Sequence, residues 1–198
     1  MPDEVRIGFT LNGSPRTGTI RSRITLADML RDSFGCTGVH LGCEQGVCGA
    51  CTILFDGRTV RSCLLLGVQA NGASIVTIEG MQGEDGTLHP LQQAFSSAHA
   101  LQCGFCTPGM IMAADELLRE VPAPTEAQIR EALSGNLCRC TGYENIVSAV
   151  RRAAQSAGGH DGTADGHDGT AGGHDGTVGG HDGTASGGAG QRGERADG

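Results

Sequence analysis

Eight of this chain's nine cysteines fall into two groups of four, and no other feature limits the possible folds as strongly. The first group is Cys43, Cys48, Cys51 and Cys63, spaced C-x4-C-x2-C and then eleven residues to the last cysteine. The second is Cys103, Cys106, Cys138 and Cys140, a C-x2-C pair, 31 residues, then C-x-C. An odd cysteine count, with no secretory pattern in MPDEVRIGFT, does not read as a disulfide framework. Thiols at this density in a reducing, cytoplasmic setting point instead to metal. Aromatic residues make up only 3% of the chain, so ring packing contributes little and a further staple is expected.

Charge excludes some functions. All 14 basic side chains are arginine, against 22 acids, for a net charge of -8. No basic cluster occurs, which argues against a nucleic-acid partner. No apolar run approaches the roughly 20 residues of a membrane span. Most of the charge lies in residues 158–198, which hold seven acids, two arginines and 16 of the 34 glycines. There the motif His-Asp-Gly-Thr recurs every seven residues from His160, His167, His174 and His181. No apolar pair accompanies the repeat, so it forms no coiled-coil seam. Its glycine and aspartate content predicts a disordered, low-complexity spacer with at most weak affinity for divalent metals.

The remainder divides near residues 80–90. Residues 1–80 read as a small α+β unit. Val5, Ile7, Phe9 and Leu11 alternate with smaller or polar residues, which predicts a half-buried strand. Asn12–Pro15 reads as a turn and Thr17–Ile24 as a second strand. Thr25 can cap a helix running through Phe34. Cys51–Phe55 and Thr59–Ser62 flank Asp56-Gly57, a hairpin signal, and Ser74–Ile78 is a further strand. Gly80–Thr87 is the expected linker. Residues 88–157 read as helical: His89–Ala100, Pro108–Glu120, a helix through Leu133 opened by a Thr125–Gln128 capping box, and Glu144–Gln155. Helices this short must pack together to be stable.

The first quartet has the spacing of plant-type [2Fe–2S] ferredoxins. Four thiolates must converge two by two on two irons, and the glycines of GCEQGVCGAC supply the backbone freedom that this wrapping needs. Zinc sites favour short symmetric knuckles, which this loop lacks. The second quartet is less specific alone. Both of its pairs precede predicted helices, whose positive N-terminal ends suit an anionic cluster, but four cysteines could equally hold zinc. The ferredoxin-type companion favours a second [2Fe–2S]. Cys36 is left over and reads as a small buried side chain, with a spare exchangeable thiol as the weaker alternative.

The segments HLGCEQGVCGACT, RSCL, QCGFCTPGM and GNLCRCTGY closely resemble the small iron–sulfur subunit of the molybdenum hydroxylases. That family includes xanthine oxidase, aldehyde oxidase and aerobic carbon monoxide dehydrogenase. The resemblance covers roughly residues 3–155. It implies an α+β chain, with an N-terminal plant-ferredoxin-like β-grasp domain followed by a C-terminal four-helix bundle. It implies metal ligation of two [2Fe–2S] clusters by Cys43, Cys48, Cys51 and Cys63, and by Cys103, Cys106, Cys138 and Cys140. It also implies a large molybdopterin-binding subunit and a medium FAD-binding subunit as partners, in a heterotrimer or a dimer of heterotrimers. Electrons would pass from molybdenum through the helical-domain cluster and the ferredoxin-like cluster to FAD. Gln102 would contact the pterin, and Cys140 would be the ligand nearest it. No substrate chemistry is expected on this chain, and substrate choice would lie on the molybdenum subunit.

Two alternatives stand beside this reading. A free electron carrier would not need the helical half. A zinc-binding interaction module would be colourless and free of iron. Among other residues, Glu44 reads as a polar loop residue. His40, His89 and His99 read as caps or surface residues, and Arg139 as a counter-charge or partner contact.

Overall fold

In the computed structural model, residues 3–83 and 85–158 are described. The expectation of a disordered tail over 158–198 therefore falls almost wholly outside the described residues. Strands β1 (Glu4–Leu11) and β2 (Ser14–Arg21) form an antiparallel hairpin, with Leu11 opposite Ser14. The turn is Asn12-Gly13 alone, at φ 51° and 77°, the two-residue geometry that matches strand twist. The second strand therefore starts three residues earlier than expected and takes in Pro15. Proline is tolerated there because β2 is an edge strand.

The helix expected after Thr25 is shorter and looser. Thr25 caps it, its hydroxyl accepting from the Asp28 N–H at 3.1 Å. One α-turn (α1, Leu26–Asp28) then opens into a wider π-turn over Met29–Ser33. The wider turn lets Leu26, Ala27, Met29 and Leu30 all be fully buried. Strands β3 (Thr52–Phe55) and β4 (Arg58–Arg61) form the hairpin expected around Asp56-Gly57, and β5 (Ser74–Val76) completes the sheet. The order is β2-β1-β5-β3-β4, with β1 and β5 parallel and the other pairs antiparallel. Ile7, Phe9, Leu11, Ile53 and Ile75 share one buried core with Leu26, Ala27, Met29 and Leu30. Three 3₁₀ turns, Ser62–Leu64, Gly67–Ala70 and Ile78–Met81, have no periodic signature and escaped the sequence reading.

Four helices follow: α2 (Pro90–Ser97), α3 (Thr107–Glu120), α4 (Glu126–Leu133) and α5 (Glu144–Gly158). They share one apolar core built on Leu91, Phe95, Met110, Ile129, Leu133, Ile146 and Val150. The Thr125–Gln128 capping box opens α4 as expected, and His89 caps α2 by accepting from the Leu91 N–H. The described residues form one compact unit, with α3 lying against β3 and β4. Residues 159–198 lie outside the described residues.

Candidate metal centres

Cys43, Cys48 and Cys51 of the first quartet sit in the irregular loop between the π-turn and β3, and Cys63 sits in the 3₁₀ turn after β4. Glu44, Gly46 and Gly49 all have left-handed backbones, at φ 53°, 81° and 74°. The loop turns its N–H groups toward sulfur: that of Cys48 donates to Cys43 Sγ at 3.3 Å. This bond, with those from Gln45 and Val47, holds the Cys43 thiol pKa down to about 6. Cys51 and Cys63 are buried where β3 begins and β4 ends. Burial, and then the neighbouring Cys51, push Cys63 up to about 11.

In the second quartet, Cys103 and Cys140 are exposed, with their sulfurs 3.6 Å apart. Cys106 occupies the cap position of α3 and faces Cys138. Burial, and then Cys138, push Cys106 up to about 12. Burial also opposes ionisation of Cys138. Hydrogen bonds from the Thr141 hydroxyl and from the Thr141 and Cys140 N–H groups outweigh it and lower that pKa.

In the second quartet the sulfurs of Cys103 and Cys140 are 3.6 Å apart and Cys106 faces Cys138; in the first, Cys43 lies beside Cys48 and Cys63 beside Cys51. Cys43 also acts on Cys63, Cys103 on Cys106 and Cys138 on Cys140, so the four sulfurs of each quartet form one neighbourhood. A [2Fe–2S] group takes four thiolates. The Thr107 hydroxyl, next to Cys106, is the one buried side-chain polar atom without a partner among the described residues. A sulfur acceptor beside Cys106 would satisfy it. The residues present therefore fit a [2Fe–2S] group at each quartet.

The two cysteine loops touch. The Leu137 N–H donates to the Cys48 carbonyl at 2.8 Å, linking the first quartet to the residue before Cys138. Asn136, only 2% exposed, donates to the Gly49 carbonyl at 2.9 Å and to Thr52 Oγ1 at 3.2 Å. Its side-chain oxygen accepts from Arg61, which also reaches Thr52 Oγ1 and the Gly135 carbonyl. The contact has no room for a side chain at Gly49, where a Cβ would lie 2.5 Å from the Gly135 oxygen. His40, expected to be a cap or surface residue, instead stacks on Phe105 at 4.7 Å. Its Nδ1 donates to the Phe105 carbonyl at 2.7 Å. Sequence reasoning missed Asn136, Arg61, Thr141 and Tyr143, whose partners no local pattern announces.

Cys36 is buried in the sheet-side core, in line with the simpler reading of it. Gln102 and Arg139 are exposed beside the Cys103–Cys140 pair. Apolar side chains are also left open near the quartets: Val47 and Leu64 by the first, and Leu101, Phe105 and Leu137 by the second.

Residues 9–73 match the family described as a 2Fe-2S iron-sulfur cluster binding domain, and residues 77–151 match the [2Fe-2S] binding domain. Fold and family together define a two-domain iron–sulfur protein. The small subunit of nicotine 6-hydroxylase from Paenarthrobacter nicotinovorans is 56% identical over 160 residues, 81% of this chain and 96% of that one. Caffeine dehydrogenase subunit gamma from a Pseudomonas species is 53% identical over 73% of this chain and 88% of its own length. The crystal structure of quinoline 2-oxidoreductase from Pseudomonas putida 86 superimposes with a TM-score of 0.75 at 53% identity, covering 79% of this chain and 97% of the matched one. The chain belongs to the small iron–sulfur subunits of the molybdenum hydroxylases, and it is an iron–sulfur subunit of an oxidoreductase complex.

Proposed function

We propose that Cys43, Cys48, Cys51 and Cys63 hold one [2Fe–2S] cluster and that Cys103, Cys106, Cys138 and Cys140 hold a second. Through them the chain relays electrons from a partner's molybdenum site, by the second cluster and then the first, to FAD on another partner. The observation that carries this reading is that each quartet lies inside its own match to a [2Fe-2S]-binding family, the first within residues 9–73 and the second within residues 77–151. The partners are a large molybdopterin-binding subunit and a medium FAD-binding subunit, in a heterotrimer or its dimer, in the cytoplasm. No helix among the described residues is long and apolar enough to cross a membrane.

When bound, each cluster accepts and passes on one electron at a time. The chain's own residues do the rest. Backbone N–H groups aimed at Cys43 favour negative charge there. Burial of Cys51, Cys63 and Cys106 keeps water from the inner ligands. The Leu137–Cys48 bond and the Asn136 contacts hold the two loops together, so the relay stays short. The exposed Cys103–Cys140 pair, with Gln102 beside it, faces outward where a partner's pterin can approach. Residues 1–80 serve as the ferredoxin-like domain and 88–157 as a four-helix bundle, with 158–198 as a spacer. Relatives named for nicotine, caffeine and quinoline make nitrogen-containing heteroaromatic rings the substrate class we propose for the complex.

The test is Cys106→Ser in the assembled enzyme. Its electron paramagnetic resonance spectrum should lose one [2Fe–2S] signal and keep the other, while turnover with an external acceptor stops. Full turnover with one signal missing would falsify the relay.

A further inference from the structure

Tyr143 is the chain's one tyrosine, and its backbone lies in the left-handed region at φ 70°. Bulky residues rarely adopt this conformation, and strain of this kind clusters at functional sites. Here it places two polar groups. The Tyr143 hydroxyl oxygen accepts from the Cys138 N–H at 2.8 Å. The Tyr143 N–H donates to Thr141 Oγ1 at 3.2 Å. With that oxygen engaged as an acceptor, the Thr141 hydroxyl turns its one proton to Cys138 Sγ, 3.1 Å away. Cys138 is thereby gripped at both its N–H and its sulfur. Thr141, Tyr143 and Cys138 are all half-buried, which limits competition from water.

No other cysteine of the two quartets receives this bond. In the first loop, Cys43 takes a backbone N–H from Cys48. In the second, a side chain captures the Cys138 N–H, and a hydroxyl joins the Thr141 and Cys140 N–H groups at the sulfur. Among the described residues, Cys138 alone of the eight accepts from a side-chain hydroxyl. A donor on a ligating thiolate disperses negative charge and so favours the reduced form of the metal group it holds.

We propose that the Thr141 hydroxyl, fixed by Tyr143, raises the reduction potential of the second cluster through Cys138. This rests on the reading of Cys138 as a ligand of that cluster. Both are positioning residues: no bond forms or breaks at either, and no proton leaves them. Their effect is to make the second cluster a better electron acceptor.

The experiment is a redox titration of the assembled enzyme followed by electron paramagnetic resonance. Thr141→Val keeps the shape and removes the donor. The reduction equilibrium constant of the second cluster should fall about tenfold, a shift of about 59 mV for a one-electron couple, with the first cluster unmoved. Thr141→Ser should restore the original midpoint. Tyr143→Phe keeps the backbone N–H that engages Thr141 and should leave this midpoint in place. An unchanged midpoint in Thr141→Val overturns the proposal, as does an equal shift in Thr141→Ser. If Thr141→Val fails to hold the second cluster, Thr141→Ala decides, and an unmoved midpoint there is fatal. A wild-type enzyme showing only one cluster signal would instead sink the ligand assignment itself.

Discussion

Cys43 and Cys63 belong to one quartet yet hold their protons at opposite ends of the thiol range, about 6 against about 11, and Cys106 lies higher still at about 12. The contrast follows from local surroundings. Cys43 faces three N–H groups, whereas Cys63 and Cys106 are buried beside other sulfurs. Metal ligation takes thiolates. Near neutral pH Cys43 has already lost its proton, while Cys63 and Cys106, as ligands of the proposed clusters, would keep theirs until metal displaced them. Binding therefore releases protons and is favoured as pH rises. Rebuilding the clusters from iron and sulfide should go further at about pH 9 than at about pH 6, read by visible absorbance. A flat profile would mean that these buried thiols are not ligands.

At the scale of elements, the decisive contact joins the loop before β3 to the turn after α4. Asn136→Ala would remove one hydrogen bond each from the Gly49 carbonyl, Thr52 and Arg61, all of which keep other partners, and would empty a buried site. A lost hydrogen bond costs about 0.5–1.5 kcal/mol, so a loss of roughly 2 kcal/mol in unfolding stability is expected, measured with denaturant. Gly49→Ala should cost more, because it adds left-handed strain to a clash with the Gly135 oxygen. Much of the layout was legible beforehand. The Asp56-Gly57 hairpin, the Thr125–Gln128 box and the spacing of all eight cysteines are local signals that sequence carries openly. The start of β2 was misplaced because Pro15 reads as a turn residue unless the edge position of its strand is known. The Asn136 contact was invisible for another reason: its partner Gly49 lies 87 residues away, and nothing near either residue names the other.

At the scale of the molecule, the working parts end before the glycine-rich segment. All eight paired cysteines lie in residues 43–140, and the family match ends at residue 151. A relative 96% covered by the alignment accounts for 81% of this chain. Removing residues 159–198 should therefore leave both cluster signals and turnover in the assembled enzyme unchanged. Loss of either would give the His-Asp-Gly-Thr repeat a role in assembly. The apolar side chains left open around the quartets, such as Leu64 at 61% and Phe105 at 46% exposure, suit surfaces that a larger complex covers.

The meeting of Gly49 with Gly135 and Asn136 also governs what can be recombined. A helical half grafted from another chain would have to bring its own asparagine and meet a bare backbone at position 49, with a carbonyl at Cys48 awaiting its amide. The halves of this subunit are thus interchangeable only as a matched set, and chimeras cut at the linker should fail wherever one side of that handshake changes alone.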